Sequence, residues 1–259
     1  MSGYSERQLR RWFDAYLENY PRWDMQRREK VNLLIDGTWF PSKLCLVVYR
    51  DETVKATLLY RITDDETEAE IREDLENIRN LGIEVESVTT DGARAIIKAV
   101  RSVFPNAVRQ RCLAHIQREC LTWLTRHPKS DAGRELRSIT MLISAIKTHN
   151  DRLYWCNLLR DWHKRHDGYL NAKTISPASH AEWYTHKMVR KAYVHLKRAL
   201  PDMFGFIDNP RIPKTTNALE SFFGHLKENI SIHRGLSLRH SQNYLKWYLY
   251  FRNKAQKDK

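Results

Sequence analysis

The stretch VNLLIDGTW, residues 31–39, runs from apolar residues into an aspartate that is followed by a glycine. β-Branched residues and leucines dominate its first half, which predicts a buried strand over residues 31–36 that ends at Asp36. Two further runs of this kind follow at residues 43–49 and 54–62. Three consecutive strands favour an antiparallel meander, in which the carboxylate of Asp36 would reach the rim of a sheet.

The spacing of the apolar residues changes after these strands. In TDDETEAEIREDLENIRNLG, residues 63–82, they recur at helical spacing, and we expect Thr63 and Glu66 to form a capping box at the helix start. EVESVTTDG then predicts a strand that ends at Asp91, ARAIIKAVRSVF predicts a helix, and residues 106–112 predict a short strand. The expected order is βββαβαβ, which is an α/β fold.

Asp36 and Asp91 have matching sequence contexts, because each ends a predicted strand and each precedes a glycine. For either residue alone a turn is the simpler interpretation, since Asp-Gly is a common turn dipeptide. If the first and fourth strands are neighbours, the two carboxylates emerge at one place on the rim and repel each other unless a cation lies between them. Hard oxygen ligands of this kind suit Mg²⁺ or Mn²⁺.

Charge is distributed unevenly along the chain, whose formal net charge is +13. Residues 1–91 hold 13 Lys/Arg against 19 Asp/Glu, and residues 92–259 hold 31 against 12, so the two parts carry −6 and +19. A positive excess of this size favours a polyanionic partner, which means nucleic acid. The alternative is charge spread evenly around helices for solubility.

A third acidic candidate, Glu220, lies in TTNALESFFGHLKENISIHRGL, residues 215–236. Asn217 and Glu220 have the spacing of a capping box, so a local role at a helix start is one interpretation. The other interpretation is that this helix packs against the rim, where Glu220 would complete a cage of carboxylates around the cation.

Basic residues follow Glu220 in the same segment. Lys227 lies two helical turns further along the same face, about 10 Å up the axis, which predicts a contact with a DNA phosphate. His233 and Arg234 come soon afterwards and could also meet DNA, although a solvated loop is the simpler interpretation.

Cys112 and His115 lie three residues apart and would share one face of a helix. Two ligands do not make a zinc site, and no suitable substrate for a thiol nucleophile is indicated. We interpret the pair as supporting residues near the metal ions, where His115 would orient a carboxylate or a phosphate. A packed thiol beside a hydrogen-bonded imidazole is an equally open alternative.

Length and composition exclude several classes of protein. The 259 residues, of which 42% are hydrophobic, are enough to bury a core. No apolar run approaches the roughly 20 residues that span a bilayer, and the first residues contain no signal-peptide core. We therefore expect a cytoplasmic protein with no membrane partner. The four cysteines form no C-x-x-C pair, which indicates reduced thiols rather than a disulfide framework.

The chain between Cys112 and Asn217 contains four stretches with helical periodicity, which predict an inserted helical domain. We expect Gly168 to end one helix and Pro177 to lie in the first turn of another. Four tryptophans in this region could stack on unpaired bases, although core packing is the simpler interpretation for most of them. They are Trp123, Trp155, Trp162 and Trp183.

Taken together, four motifs resemble the Mutator-like transposases of prokaryotic insertion sequences, a family with a ribonuclease-H-like core and a D-D-E metal site. The motifs are IDGTW at 35–39, TTDGARAI at 89–96, FPNAVRQRCLAHIQRE at 104–119 and TTNALESFFGHLKENISIHRGLS at 215–237. Each motif is weak by itself. Their order and spacing carry the resemblance, which covers nearly the whole chain.

The resemblance implies a ribonuclease-H-like mixed sheet with an all-helical insertion before the last catalytic helix. It implies cleavage at transposon ends and strand transfer into target DNA, with Asp36, Asp91 and Glu220 binding two Mg²⁺ or Mn²⁺ ions and Lys227 contacting DNA. The expected partners are double-stranded DNA and further copies of the chain, as a homodimer or larger assembly on DNA. The expected location is the prokaryotic cytoplasm, at the nucleoid when DNA is bound.

Family members usually carry a zinc-ribbon or helix-turn-helix segment upstream of the core. Here residues 4–21 predict one helix, with Ser5 as its cap and Trp12 on its apolar face. We interpret residues 1–30 as the remnant of an N-terminal DNA-binding helical segment. The expected organisation then continues in three parts, which are 31–112 as the first part of the core, 113–212 as the helical insertion and 213–259 as the final core helices with Glu220.

Two other functions stay open at the level of sequence. A ribonuclease-H-like nuclease would use the same carboxylates without strand transfer. A truncated or domesticated DNA-binding protein would keep the basic part of the chain and lack catalysis.

Overall fold

A computed structural model of the chain describes residues 3–23, 29–233 and 235–257. In chain order its helices and strands are α1 (Glu6–Leu17), β1 (Lys30–Phe40), β2 (Leu44–Asp51), β3 (Ala56–Thr63), α2 (Glu68–Asn80), β4 (Glu84–Thr90), α3 (Arg94–Val103), β5 (Val108–Arg111), α4 (Leu113–Leu124), α5 (Asp131–Met141), α6 (His149–Asn171), β6 (Lys173–Ile175), β7 (Glu182–Tyr184), α7 (Lys187–Ala199), α8 (Gly205–Asp208), α9 (Asn217–Ile232) and α10 (Leu238–Lys257). Within the described ranges, no helix has both the length and the apolar character needed to cross a membrane.

The chain divides into two compact units. The first unit consists of Met1–Val88, Ala93–Ala107 and Thr216–Lys259. The second unit consists of Thr89–Gly92 and Val108–Thr215.

The sheet begins with an antiparallel meander, as the sequence predicts, because β1 pairs with β2 and β2 pairs with β3. The strand order of the whole sheet is β3-β2-β1-β4-β5. β1 and β4 are therefore neighbours, and the elements follow one another in the expected order βββαβαβ. The fold is α/β, with helices and a five-stranded mixed sheet.

Both faces of β1 are buried in the first unit. Alternate side chains of a strand point to opposite faces, and those of β1 pack in two different hydrophobic clusters. Val31, Leu33 and Ile35 pack in one hydrophobic cluster with residues of α2 and α3. Leu34 and Phe40 pack in another cluster with residues of α9 and α10. An even-numbered residue of β1 therefore faces α9 and α10.

β1 is longer than predicted, and the expectation that it ends at Asp36 was wrong. The strand continues to Phe40, and Gly37 pairs with Val47 in its interior. Gly37 lies in a strand and not in a turn, and the absence of a side chain leaves room for Glu66. A Cβ at this position would lie 3.2 Å from a carboxylate oxygen of Glu66.

The predicted capping box of Thr63 and Glu66 was also wrong. Thr63 is the last residue of β3, and α2 begins at Glu68. The N-cap is Thr67, whose side-chain oxygen accepts a hydrogen bond from the backbone N–H of Glu70 at 3.3 Å. The N-cap of α2 therefore lies four residues after Thr63, the N-cap that the sequence spacing predicts.

The second unit has its own core, built from α4, α5, α6 and α7. Trp155 and Trp162 are completely buried in it. Trp155 donates its indole N–H to the carbonyl of Ile139 at 2.8 Å, and Trp162 donates to that of Ala132 at 3.0 Å. Core packing, the simpler interpretation of these two tryptophans, is confirmed.

The prediction that the insertion is all helical was wrong at residues 173–184. β6 and β7 form an antiparallel hairpin there, and Lys173 donates to Glu182 across it at 2.8 Å. Pro177 lies in the connecting turn rather than in a helix, and the turn ends with His180 at a φ of 55°. Gly168 does not end a helix either, because α6 continues to Asn171.

α1 packs on α10 within the first unit. Ser5 caps α1, as predicted, by accepting a hydrogen bond from the backbone N–H of Gln8 at 3.3 Å. Leu17 is buried, and its carbonyl accepts a hydrogen bond from the side-chain N–H of Asn243 at 2.8 Å. Trp12, on the other hand, keeps 49% of its surface exposed.

A buried polar network yields a stability prediction for the first unit. Asp74 is 4% exposed and accepts hydrogen bonds from Tyr49 at 2.9 Å and from Arg61 at 2.8 and 2.7 Å. Asp74→Ala leaves both donors without this acceptor, and we expect it to lower the free energy of unfolding in urea by about 3–5 kcal/mol.

Glu73→Ala is the matched control, because Glu73 pairs with the same Arg61 but its side chain is 64% exposed. We expect a change of less than about 1 kcal/mol. Equal losses in Asp74→Ala and Glu73→Ala would contradict the role of burial in this network.

Candidate functional site

Asp36 lies in the interior of β1, where it pairs with Val48 of β2. It is 7% exposed, and one carboxylate oxygen accepts a hydrogen bond from the backbone N–H of Gly37 at 2.9 Å. As an even-numbered residue of β1, it points to the face that α9 and α10 cover. The sheet thus presents this carboxylate toward the helix that carries Glu220.

Glu220 lies in the first turn of α9, and the capping box predicted for it was wrong. α9 begins at Asn217, so Asn217 is a helical residue and the N-cap is the buried Thr216. The Thr216 side chain makes no capping hydrogen bond, while the backbone N–H of Glu220 donates to the Thr216 carbonyl at 3.1 Å. An acid in the first turn still interacts favourably with the helix dipole, so the local interpretation of Glu220 narrows to that interaction.

The buried face of α9 fixes where Glu220 lies. Four apolar residues of this helix pack on the sheet face that bears Asp36, and Glu220 itself is half-buried. Asp36 and Glu220 therefore lie on the same side of the sheet within the first unit. The four packing residues are Leu219, Phe222, Phe223 and Leu226.

Asp91 belongs to the second unit and directly follows Thr90, so β4 ends one residue before its predicted end at Asp91. Its neighbour Gly92 has a φ of 96°, a conformation that favours glycine. A Cβ at Gly92 would overlap the guanidinium of Arg111. The glycine after Asp91 is thus required both by the backbone and by a neighbouring side chain.

Arg111 is a candidate site residue that the sequence did not reveal. It is 9% exposed, and its Nε donates to the backbone carbonyl of Asp91 at 3.2 Å. Burial lowers the pKa of Arg111 from its ordinary value, and the nearby charges of Asp91 and Glu119 oppose that shift. An arginine in this position holds the Asp91 turn while remaining a cation.

Cys112 lies next to Arg111 and connects two elements of the second unit. It is completely buried, and its backbone N–H donates to the carbonyl of Thr90 at 2.8 Å. A thiol with no exposed surface cannot attack a substrate, which agrees with a supporting role. His115 is half-buried in the first turn of α4. A role of either residue near metal ions stays a prediction.

None of the four cysteines forms a disulfide in the part of the chain that the structure describes. Burial raises the pKa of both Cys45 and Cys120 to about 12. Neither thiol therefore ionises in the neutral range.

Lys227 and His233 follow Glu220 on α9 and at its C-terminal end. Lys227 is exposed, and its Nζ lies 5.8 Å from the ring centre of Phe40. The His233 ring stacks on Phe13 at 4.6 Å and lies 5.3 Å from the Tyr244 ring. The interpretation of His233 as part of a solvated loop is therefore wrong, because its ring packs against these two aromatic rings. Its contact with DNA stays a prediction.

Arg234, the other predicted DNA contact, lies outside the described residues.

The acidic candidates are divided between the two units, with Asp36 and Glu220 in the first and Asp91 in the second. Across the three described ranges, no group of three or more His, Cys, Asp or Glu side chains could hold a metal ion. Binding of a metal ion by all three carboxylates therefore stays a prediction.

Positive charge is concentrated in the sequence of the second unit, which contains 20 Lys/Arg against 10 Asp/Glu. α7 carries five cations and no acid. Two of the cations lie over aromatic rings, with Arg190 at 3.8 Å from the Tyr184 ring centre and Lys191 at 4.3 Å from that of Trp123. A basic helix with few counter-charges suits a polyanion.

Comparison with known proteins supports the interpretation of the motifs. Residues 45–167 match the sequence model of a family described as Transposase, Mutator family. A stretch of 117 residues is 31% identical to the transposase for insertion sequence element IS905 of Lactococcus lactis subsp. lactis (strain IL1403). The resemblance to Mutator-like transposases of insertion sequences is confirmed.

These matches cover only part of the sequences. The stretch shared with the Lactococcus protein covers 41% of this chain and 30% of that protein. The family match includes Asp91, Cys112 and His115, whereas Asp36 and Glu220 lie outside it.

Among solved structures, the chain is similar to a chain of the simian T-cell lymphotropic virus intasome in complex with PP2A regulatory subunit B56 gamma. The two are 17% identical with a TM-score of 0.26, over 51% of this chain and 53% of that one. A TM-score this low supports no conclusion about fold or function.

The Asp91 turn yields the second prediction. Gly92→Ala forces a side chain into a left-handed backbone and into the Arg111 guanidinium, and we expect it to lower the free energy of unfolding by about 2–4 kcal/mol. Thermal or urea unfolding measures the loss.

Gly224→Ala is the control, because Gly224 lies inside α9 with nothing within 4 Å of the added Cβ. We expect this change to stabilise the protein by about 0.5–1 kcal/mol. Stabilisation by Gly92→Ala as well would contradict the account of the Asp91 turn.

Proposed function

We propose that this chain is a DNA transposase that cuts transposon ends and joins the released 3′-hydroxyl to target DNA. The observation that carries the proposal is the position of α9, which brings Glu220 to the sheet face that bears Asp36. Glu220 forms no capping box with Asn217, because Asn217 is itself a helical residue. Asp91 directly follows β4, the neighbour of β1 in the sheet.

The core of this enzyme would be ribonuclease-H-like, the fold that the resemblance implies. The order βββαβαβ and the neighbouring positions of β1 and β4 support this assignment. Residues 113–212 would be the insertion that separates Asp91 from Glu220. The β6–β7 hairpin makes this insertion predominantly helical rather than all helical.

The donor set fits a divalent cation, because three carboxylates supply hard oxygen ligands and no soft ligand. Asp36, Asp91 and Glu220 would hold Mg²⁺ or Mn²⁺, as two ions. When bound, the ions would supply the positive charge that phosphoryl transfer requires at the scissile phosphate.

The other candidate residues would bind and position DNA. Lys227 would hold a backbone phosphate, because it is an exposed cation seven residues after Glu220 on the same helix. Arg111 would hold the Asp91 turn through its hydrogen bond to the Asp91 carbonyl. The cations of α7 would bind the duplex through its phosphates, independently of sequence.

The proposed partner is double-stranded DNA, bound by a homodimer or larger assembly in the prokaryotic cytoplasm. The net positive charge of the second unit supports the choice of DNA.

Substitution of the three carboxylates tests the proposal. Asp36→Asn, Asp91→Asn and Glu220→Gln preserve side-chain size and remove the charge. We expect each to reduce Mg²⁺- or Mn²⁺-dependent cleavage of duplex DNA by about 100-fold or more, while duplex binding is kept. Gel analysis of a supercoiled plasmid measures cleavage, and joining of a labelled 3′-hydroxyl duplex to that plasmid measures strand transfer.

Glu228→Gln is the matched control on the same helix, because the Glu228 side chain is 79% exposed. It is expected to cleave like the unmodified chain. Cleavage without joined product would identify a nuclease instead of a transposase. Full activity in any of the three carboxylate variants would contradict the assignment of that residue.

A further inference from the structure

A cavity of about 490 Å³ lies in the first unit, where the end of β1 meets the second half of α9 and the start of α10. Its wall is formed mostly by aromatic and aliphatic side chains, including Trp39, Phe40, Ile230 and Leu236. Its volume is in the range of pockets that bind small organic molecules. A nucleobase with its sugar is a ligand of suitable size.

We infer that this cavity binds one unpaired nucleobase of the DNA substrate, turned out of its stack. Trp39 keeps 48% of its surface exposed while it lines the cavity, so its ring is available to stack on a base. Stacking on aromatic side chains is the usual way in which proteins hold a base removed from a duplex.

The polar groups of the cavity suit a nucleotide rather than an apolar ligand. Lys227 lies in the wall, with its Nζ 5.8 Å from the Phe40 ring centre, and would take the phosphate of the unpaired nucleotide. Ser231 and Ser241 provide hydroxyls that could reach a base edge. None of the described residues that line the cavity is acidic, so no carboxylate repels a phosphate there.

The cavity lies within a few nucleotide spacings of the candidate carboxylates. Phe40 lies four residues after Asp36 on β1, which is about 13 Å at 3.3 Å per residue. Lys227 lies seven residues after Glu220 on α9, about 10 Å along the axis. At about 3.4 Å per nucleotide, the base would lie three or four nucleotides from the scissile phosphate.

This inference rests on the proposed function, because it requires that the chain bind DNA. Removing a base from a duplex costs less where the base is already unpaired. A chain with such a cavity should therefore prefer a duplex with one bulged base to the same duplex fully paired.

Fluorescence anisotropy with a labelled 30-base-pair duplex, with and without a central single-base bulge, measures this preference. We expect the unmodified chain to bind the bulged duplex about tenfold more tightly than the paired duplex, as stacking of one base would give. The ratio of the two dissociation constants is the readout, so a general change in DNA affinity cancels.

Two variants act on the cavity in opposite ways. Trp39→Ala removes the stacking ring, and Ser231→Phe places a bulky side chain in the wall. Both are expected to reduce the ratio to about one. Tyr154→Ala is the matched control, because Tyr154 is a 63% exposed aromatic residue of the second unit and does not line the cavity. It should leave the tenfold ratio unchanged, and unfolding curves show whether each variant is folded.

The outcomes separate the two claims. Equal binding of both duplexes by the unmodified chain would overturn the base pocket and leave the proposed function standing. A preference that survives in both Trp39→Ala and Ser231→Phe would also overturn the pocket. Absence of any DNA binding would overturn the pocket together with the proposed function.

Discussion

The packing of α9 on the β1–β2 face is the interaction on which the functional interpretation depends. It fixes the rotation of the helix about its axis, so that Glu220 and Lys227 lie two turns apart on one side. It also sets the helix over the sheet face that bears Asp36. Without this interface, the acidic residue of the first strand and that of a helix near the end of the chain would have no defined relation. The buried residues of the interface include Leu34, Leu46, Val48, Leu219, Phe222, Phe223 and Leu226.

Asp36 is one of several buried acids in the first unit, which also include Asp51 and Asp74. β1 is buried on both faces, and a carboxylate in such a strand costs free energy unless it is paired or binds a cation. The backbone N–H of Gly37 satisfies part of its hydrogen-bonding capacity. Burial alone does not distinguish Asp36 from a structural acid such as Asp74, so the proposed role of Asp36 rests on its position on the sheet face that α9 covers.

Much of the fold could be predicted from the sequence, because local periodicity determines it. The three strands of the meander are apolar runs whose positions are recognisable, although the first continues four residues beyond its predicted end. The helix caps were harder to place. Thr67 and Thr216 are the true N-caps, whereas spacing alone favoured Thr63 and Asn217.

Several of the failed predictions depend on contacts that the local sequence pattern does not reveal. Gly37 looked like a turn residue, but its missing side chain makes space for Glu66 inside a strand that continues. Arg111 lies within the motif at residues 104–119, but only the fold places it against the Asp91 turn. The hairpin at 173–184 depends on pairing across a turn, including the ion pair of Lys173 with Glu182.

The most direct measurement is calorimetric titration of Mn²⁺ into the chain in the presence of a short DNA duplex. The unmodified chain should bind two Mn²⁺ ions, and Asp36→Ala, Asp91→Ala and Glu220→Ala should each lose measurable affinity for at least one of them while remaining folded. If Glu220→Ala binds Mn²⁺ like the unmodified chain, α9 contributes no metal ligand, and the central claim that helix and sheet build one catalytic site is contradicted.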